Sequence, residues 1–145
     1  MPTPTPDYLL LDYDADADLL VGRWQRLVMP FELHQGYAAL LDAAARHRCP
    51  YWLIDTSRRR VGIEASDLQW LRERFLPQVT ARLGGPAYLA YLMAPHQLAD
   101  LVSDPAVTLG TYSGEQACPL ARFTQEAAAR HWLGRCATQQ QGMVA

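Results

Sequence analysis

The chain's chemically most suggestive segment is an apolar block that runs into charge. Tyr51-Trp52-Leu53-Ile54-Asp55 is followed by Thr56-Ser57 and then by Arg58, Arg59 and Arg60. If the apolar block is a strand, these guanidiniums stand outside its carboxyl end, where open α/β sheets bind ligands, and they suit a phosphate or carboxylate. The same run also reads as a solvated loop whose arginines pair with Asp55, Glu64 or Asp67.

Other constellations carry less. Asp12, Asp14, Asp16 and Asp18 alternate, as calcium ligands do. A calcium loop also needs Gly at its sixth position and Glu at its twelfth. Counted from Asp12 those places hold Ala17 and Arg23, and from Asp14 they hold Leu19 and Gln25. The run therefore reads as a polar turn. His34, His47, His96 and His131 form no His-x-x-x-His pair, and Cys49, Cys118 and Cys136 form no close pair, so no metal and no cofactor are expected. There is no Gly-x-Ser-x-Gly elbow and no Gly-x-Gly-x-x-Gly segment, and all 13 basic residues are arginine. A lysine-dependent phosphate loop and Schiff-base chemistry are thereby excluded. An arginine-only basic set fits a GC-rich genome as well as selection for bidentate anion recognition.

The elements that must position these residues follow from pattern. Tyr8–Tyr13 and Leu19–Arg26 read as two strands around the aspartate tip, an antiparallel hairpin. Gly22 inside the second strand suggests a bulge. Pro30 opens a helix to about Arg48, with Leu33, Tyr37, Leu40, Leu41 and Ala44 on one face. Tyr51–Asp55 reads as a strand buried on both faces. Thr56–Ala65 is a loop. Ser66, with Gln69 three residues on, caps a second helix that Gly84-Gly85-Pro86 stops. Ala87–Met93 is a strand, Pro95–Asp104 a short helix, and 106–119 is hard to read. Leu120–Phe123 is a final strand, Thr124 caps a helix from Gln125 to about Arg135, and a polar tail follows. Trp52 and Leu53 point to opposite sides of the sheet, so both faces need helical cover.

The 145 residues, 50% hydrophobic and 19% charged, make one domain able to bury roughly two-thirds of its unfolded surface. Residues 1–7 read as a loose Pro/Thr lead-in, 8–135 as the domain and 136–145 as its tail. A formal net charge of −2 argues against a nucleic-acid partner. No apolar run reaches the ~18 residues of a membrane span. The Met-Pro-Thr-Pro-Thr-Pro start lacks the blocks of a secretory signal, and three unpaired cysteines suit reduced thiols, so a cytoplasmic location is expected.

The order hairpin, helix, strand, helix, strand, short helix, strand, helix implies an α/β fold with a central mixed sheet of about five strands. That order resembles the STAS fold of sulfate-transporter and anti-sigma-factor-antagonist domains. The resemblance rests also on Leu53-Ile54-Asp55 at a strand end and on Phe123-Thr124-Gln125-Glu126-Ala127-Ala128-Ala129-Arg130-His131-Trp132-Leu133. It is closer to small stand-alone bacterial STAS-like proteins and covers Tyr8 to Gly134. In anti-sigma-factor antagonists a serine in an Asp-Ser-Ser-Gly pattern is phosphorylated by a partner kinase. This chain has Asp55-Thr56-Ser57-Arg58 there, without the glycine, and its helix begins only after the long loop. The resemblance implies a non-enzymatic regulatory or signalling module. Its site would be Asp55, Thr56, Ser57, Arg58, Arg59 and Arg60, taking a partner protein or a small anionic ligand.

Two alternatives come from the residues themselves. Trp24, Tyr37, Trp52, Trp70, Tyr88, Tyr91 and Trp132 could line the pocket of an apolar small-molecule or lipid carrier, as in the related Sec14-like architecture, which needs at least ~300 Å³; such residues otherwise build the core. A hydrolase or transferase could instead use Cys49, Cys118 or a histidine. An exposed hairpin edge or the aromatic-rich helices could support a homodimer.

Overall fold

A computed structural model describes residues 7–26, 28–58, 69–97, 99 and 120–143. Its core is a five-stranded mixed sheet in the order β1-β2-β3-β4-β5. The strands are β1 (Leu9–Asp14), β2 (Leu19–Trp24), β3 (Tyr51–Asp55), β4 (Tyr88–Leu92) and β5 (Leu120–Phe123). β1 and β2 form the antiparallel hairpin, and β2 through β5 run parallel. The hairpin tip uses its aspartates locally. Asp14 Oδ1 accepts the N–H groups of Asp16 and Ala17, and Asp18, at φ 50°, accepts the Tyr13 hydroxyl at 2.7 Å. These are the turn roles that suit aspartate's short acceptor side chain.

Among the described residues, three helices cover the sheet. α1 (Pro30–His47) follows β2, and α2 (Leu76–Leu83) precedes β4. α3 (Glu126–Met143) follows β5. α1 and α2 share one face of the sheet. There Gly22 lies under Leu40, the Tyr37 and Tyr91 hydroxyls meet at 2.6 Å, and the Trp52 ring sits 6.0 Å from Phe75. Side chains alternate along a strand, so Leu53, Ala90 and Leu92 face the other way. That side is covered by α3, which packs on β3, β4 and β5. Ala129, Leu133 and Cys136 are buried in it. Helices on both faces explain why every residue of β3 is buried.

Several local features differ from the sequence reading. Gly22 is not a bulge, because the β1–β2 register runs unbroken through Leu11↔Gly22. A Cβ at Gly22 would stand 2.6 Å from Leu40 Cδ2, so the glycine lets α1 lie close on the sheet. Gly36 in α1 does the same for the Trp24 ring. α2 is preceded by a π-helical stretch, Leu71–Phe75, closed by the Leu76 N–H on Leu71 O. Pro77 has no N–H to give and its ring crowds the carbonyl four residues back, which a wider turn relieves. Gly84 caps α2 at φ 77°, as expected. α3 does not stop near Arg135 but continues through Met143, since polar residues such as Thr138 and Gln139 do not end a helix as glycine or proline does. Residues 95–97 are helical. The Ser66 cap, the rest of the expected 95–104 helix apart from residue 99, 106–119, Cys118 and residues 1–6 lie outside the described residues.

The aromatic residues pack mainly against one another. Trp24, Tyr37, Trp52 and Tyr91 are fully buried in a single cluster, with Tyr37 and Phe75 rings 4.9 Å apart. Burial of such side chains, at about 1.5–3 kcal/mol each, is the principal force holding α1 and α2 to the sheet.

Candidate functional site

The carboxyl ends of β2 and β3 gather a polar network at the edge of this apolar core. Arg23 and Asp55 are register partners on adjacent parallel strands, which puts both side chains on the α3 face. Arg23 Nη1 donates to Asp55 Oδ2 at 3.0 Å and to Glu126 Oε1, in the first turn of α3, at 2.8 Å. Glu126 Oε2 accepts from Arg130 Nε at 2.9 Å. The other Asp55 oxygen closes the turn after β3, accepting the Ser57 N–H at 2.9 Å and the Ser57 hydroxyl at 2.6 Å. The buried Asp55 carboxylate therefore has an ionic partner on one oxygen and hydrogen bonds on the other, which is what makes its burial tolerable.

Charge pairing shifts the partners as expected. The hydrogen bond to Glu126, followed by that to Asp55, holds the Arg23 guanidinium above its ordinary value against the opposing effect of burial. Glu126 is held below the usual glutamate range, first by Arg23 and then by Arg130. The network fastens the start of α3 to the two strand ends.

Of the six residues expected here, four are described and close together. Asp55 anchors the network. Thr56 is buried, and its hydroxyl donates to Leu92 O at 3.1 Å, tying the end of β3 to β4. The buried Gln97 reinforces that tie, donating to Thr56 O at 3.1 Å and accepting the Ala94 N–H at 2.7 Å. Ser57 is half-buried. Arg58 is exposed, donates to the neutral Gln25 side chain at 2.6 Å and meets no carboxylate among the described residues. Arg59 and Arg60 lie outside the described residues.

The sequence reading missed Arg23, Gln25, Gln97 and Glu126 as members of this site. One signal was present: Arg23 continues the Leu19, Val21 alternation, so a charge ends an otherwise apolar row. Its partner could be known only from the β2–β3 register.

Cys49 and Cys136 do not sit at this edge. Cys49 is fully buried before β3, and burial pushes its thiol up to about 12. Burial likewise raises Cys136. A nucleophilic thiol needs the opposite shift. Among the described residues, no helix is long and apolar enough to cross a membrane, and no group of three or more His, Cys, Asp or Glu side chains could hold a metal ion.

No protein-family model matches the chain, and comparison with curated proteins and with solved structures gives no match either. The class defined by fold and site is thus an α/β domain with a mixed five-stranded sheet, an opening hairpin and an ordered polar edge.

Proposed function

We propose that this chain is a non-enzymatic binding module of STAS-like type, and that it recognises an anionic group, on a partner protein or a small ligand, at the loop leaving β3. The observation that carries this reading is the division of charge at that edge. Arg23 is saturated by Asp55 and Glu126, whereas Arg58 is exposed and, among the described residues, donates to neutral Gln25 and meets no carboxylate. Arg59 and Arg60 follow directly in sequence. Guanidiniums next to a fixed strand end can grip a carboxylate or phosphate with little ordering cost. The mixed sheet opening with a hairpin supports the STAS-like assignment. Of the two hydroxyls considered for a phosphate switch, the half-buried Ser57 suits it better than the buried Thr56.

Calorimetric titration with inorganic phosphate and, separately, with an acidic peptide tests the site. Wild-type protein should bind at least one of them in a salt-sensitive manner. Arg58→Ala with Arg60→Ala should weaken that binding about tenfold or more. Unchanged binding in the double variant places the site elsewhere.

A further inference from the structure

β1 is an edge strand, hydrogen-bonded to β2 on one side only. In an antiparallel ladder the backbone groups of successive residues point to opposite sides of the strand. The Gln25 N–H bonds to Tyr8 O, so Tyr8, Leu10 and Asp12 turn their groups towards β2. Leu9, Leu11 and Tyr13 turn theirs outward, where they meet no backbone partner among the described residues. We propose that this edge joins a second copy of the chain, β1 against β1, antiparallel about a two-fold axis at Leu10, so that two five-stranded sheets become one continuous sheet.

Three observations converge on that partner. The first is that the edge is unguarded. Monomeric proteins blunt such edges with proline, lysine or a bulge. β1 has none of these over its six residues, and its register with β2 is unbroken from Leu9 to Asp14. Leu10, the register partner of Arg23, points to the α3 side of the sheet. α3 packs on β3, β4 and β5, so Leu10 stands 56% exposed on a face that this helix does not cover.

The second is register. With Leu10 on the axis, Leu9 of each copy exchanges both backbone bonds with Leu11 of the other. The two Leu10 side chains then meet in a non-hydrogen-bonded pair, where Cα atoms approach to ~4.5 Å. Asp12 of each copy lies level with Tyr8 of the other. Moving the axis to Leu11 sets Leu10 against a carboxylate. Moving it to Asp12 sets two carboxylates against each other, which is destabilising. Charge and burial therefore select the same axis.

The third is the helix beside the edge. α1 runs in the direction of β1: the Tyr8 hydroxyl reaches Glu32 O at 2.9 Å near the helix start, and the Tyr13 ring stacks on His47 at 4.0 Å near its end. A two-fold axis normal to the sheet keeps both copies of α1 on one side and makes them antiparallel. The first turn of one, with Glu32, then lies towards the last turn of the other, with Arg46 and His47. Opposite charges and opposite dipole ends face each other. An unrelated strand does not bring that complement, which favours a second copy as the occupant. The edge contains none of the residues of the loop after β3, so this inference does not depend on the reading of that site.

The test is sedimentation equilibrium of the full chain, with cross-linking to read the register. Wild type should dimerise reversibly below about 100 µM. Leu10→Glu sets two carboxylates on the axis and should weaken the dimer about tenfold or more. Because Leu10 is exposed, that variant should fold like wild type by circular dichroism. In a Cys118→Ser background, Leu10→Cys should form an interchain disulfide under mild oxidation, since a non-hydrogen-bonded pair has the right Cα separation. Asp12→Cys should not, because its two copies stand about 13 Å or more apart. A wild type that stays monomeric at about 100 µM overturns the proposal, as does a dimer that Leu10→Glu leaves intact. Cross-linking through Asp12→Cys in place of Leu10→Cys overturns it too. Should Leu10→Glu fail to fold, the Leu10→Cys disulfide decides, and its absence overturns the proposal.

Discussion

Replacing Arg23 with methionine should show how much the polar edge contributes to stability. Methionine keeps most of the apolar stem and deletes the charge. Asp55 loses its ionic partner at 3.0 Å while its side chain remains only 9% exposed. Removing one partner of a fully buried pair costs about 3–5 kcal/mol. Two features reduce that figure. The Arg23 side chain is 28% exposed, so water can take part of its place, and Asp55 retains both hydrogen bonds from Ser57. Glu126 is 37% exposed and keeps Arg130, so its share is at most about 1 kcal/mol. The expected loss is about 2–3 kcal/mol, or a melting temperature lower by about 4–12 °C for a chain of this size. Asp55→Asn in the same background removes the stranded charge. The double variant should therefore lose clearly less than the two singles summed, with a coupling of about 1–2 kcal/mol. Chemical and thermal denaturation of the four proteins measure this. Additive losses, or an Arg23→Met protein that melts within about 1 °C of wild type, would refute the network's structural role.

Three further outcomes follow from the packing and the titrating groups. Gly36→Ala ought to stabilise an ordinary helix by about 1 kcal/mol, but here the new methyl meets the buried Trp24 ring, so a net loss of about 1–3 kcal/mol is expected in denaturant unfolding. Cys49 should react with iodoacetamide at neutral pH far more slowly in the native protein than in urea. Because its folded value is raised to about 12, the stability it confers is complete below the unfolded thiol's value of about 8.5 and is lost as pH rises from there towards about 12; Cys49→Ala should flatten that alkaline slope. Glu126 has the opposite sign. Its folded value is depressed, so its contribution is present above the unfolded value of about 4.3 and disappears as pH falls through the lower folded value, and Glu126→Gln should reduce acid sensitivity measured by circular dichroism.

How far the sequence discloses this molecule depends on whether a feature is local. β3 and β5 match their expected spans because each is a short apolar run with a clear boundary, Pro50 ahead of one and Thr124 after the other. The starting point of α1 follows from Pro30 and its far cap region from the basic last turn, though nothing in the residues announces a left-handed arginine. Gly22 was ambiguous in principle, since a strand glycine serves either a bulge or a close neighbour, and only the position of Leu40 decides. The extension of α3 was hidden because Thr138 to Gln141 are all polar and leave no apolar stripe to mark a helix face. At the polar edge, Asp55 to Arg58 are contiguous and therefore legible. Arg23 and Glu126 join them through strand register and the docking of α3, which are properties of the assembled fold.

The central claim is that the loop after β3 is where this chain meets an anionic group. Native mass spectrometry of the protein isolated gently from its own cells addresses it most directly, with wild type compared against Arg58→Ala with Arg60→Ala. The account predicts that wild type carries a partner chain or an anionic adduct and that the double variant, folded to the same extent by circular dichroism, carries neither. Equal retention of the adduct or partner by both proteins would contradict it.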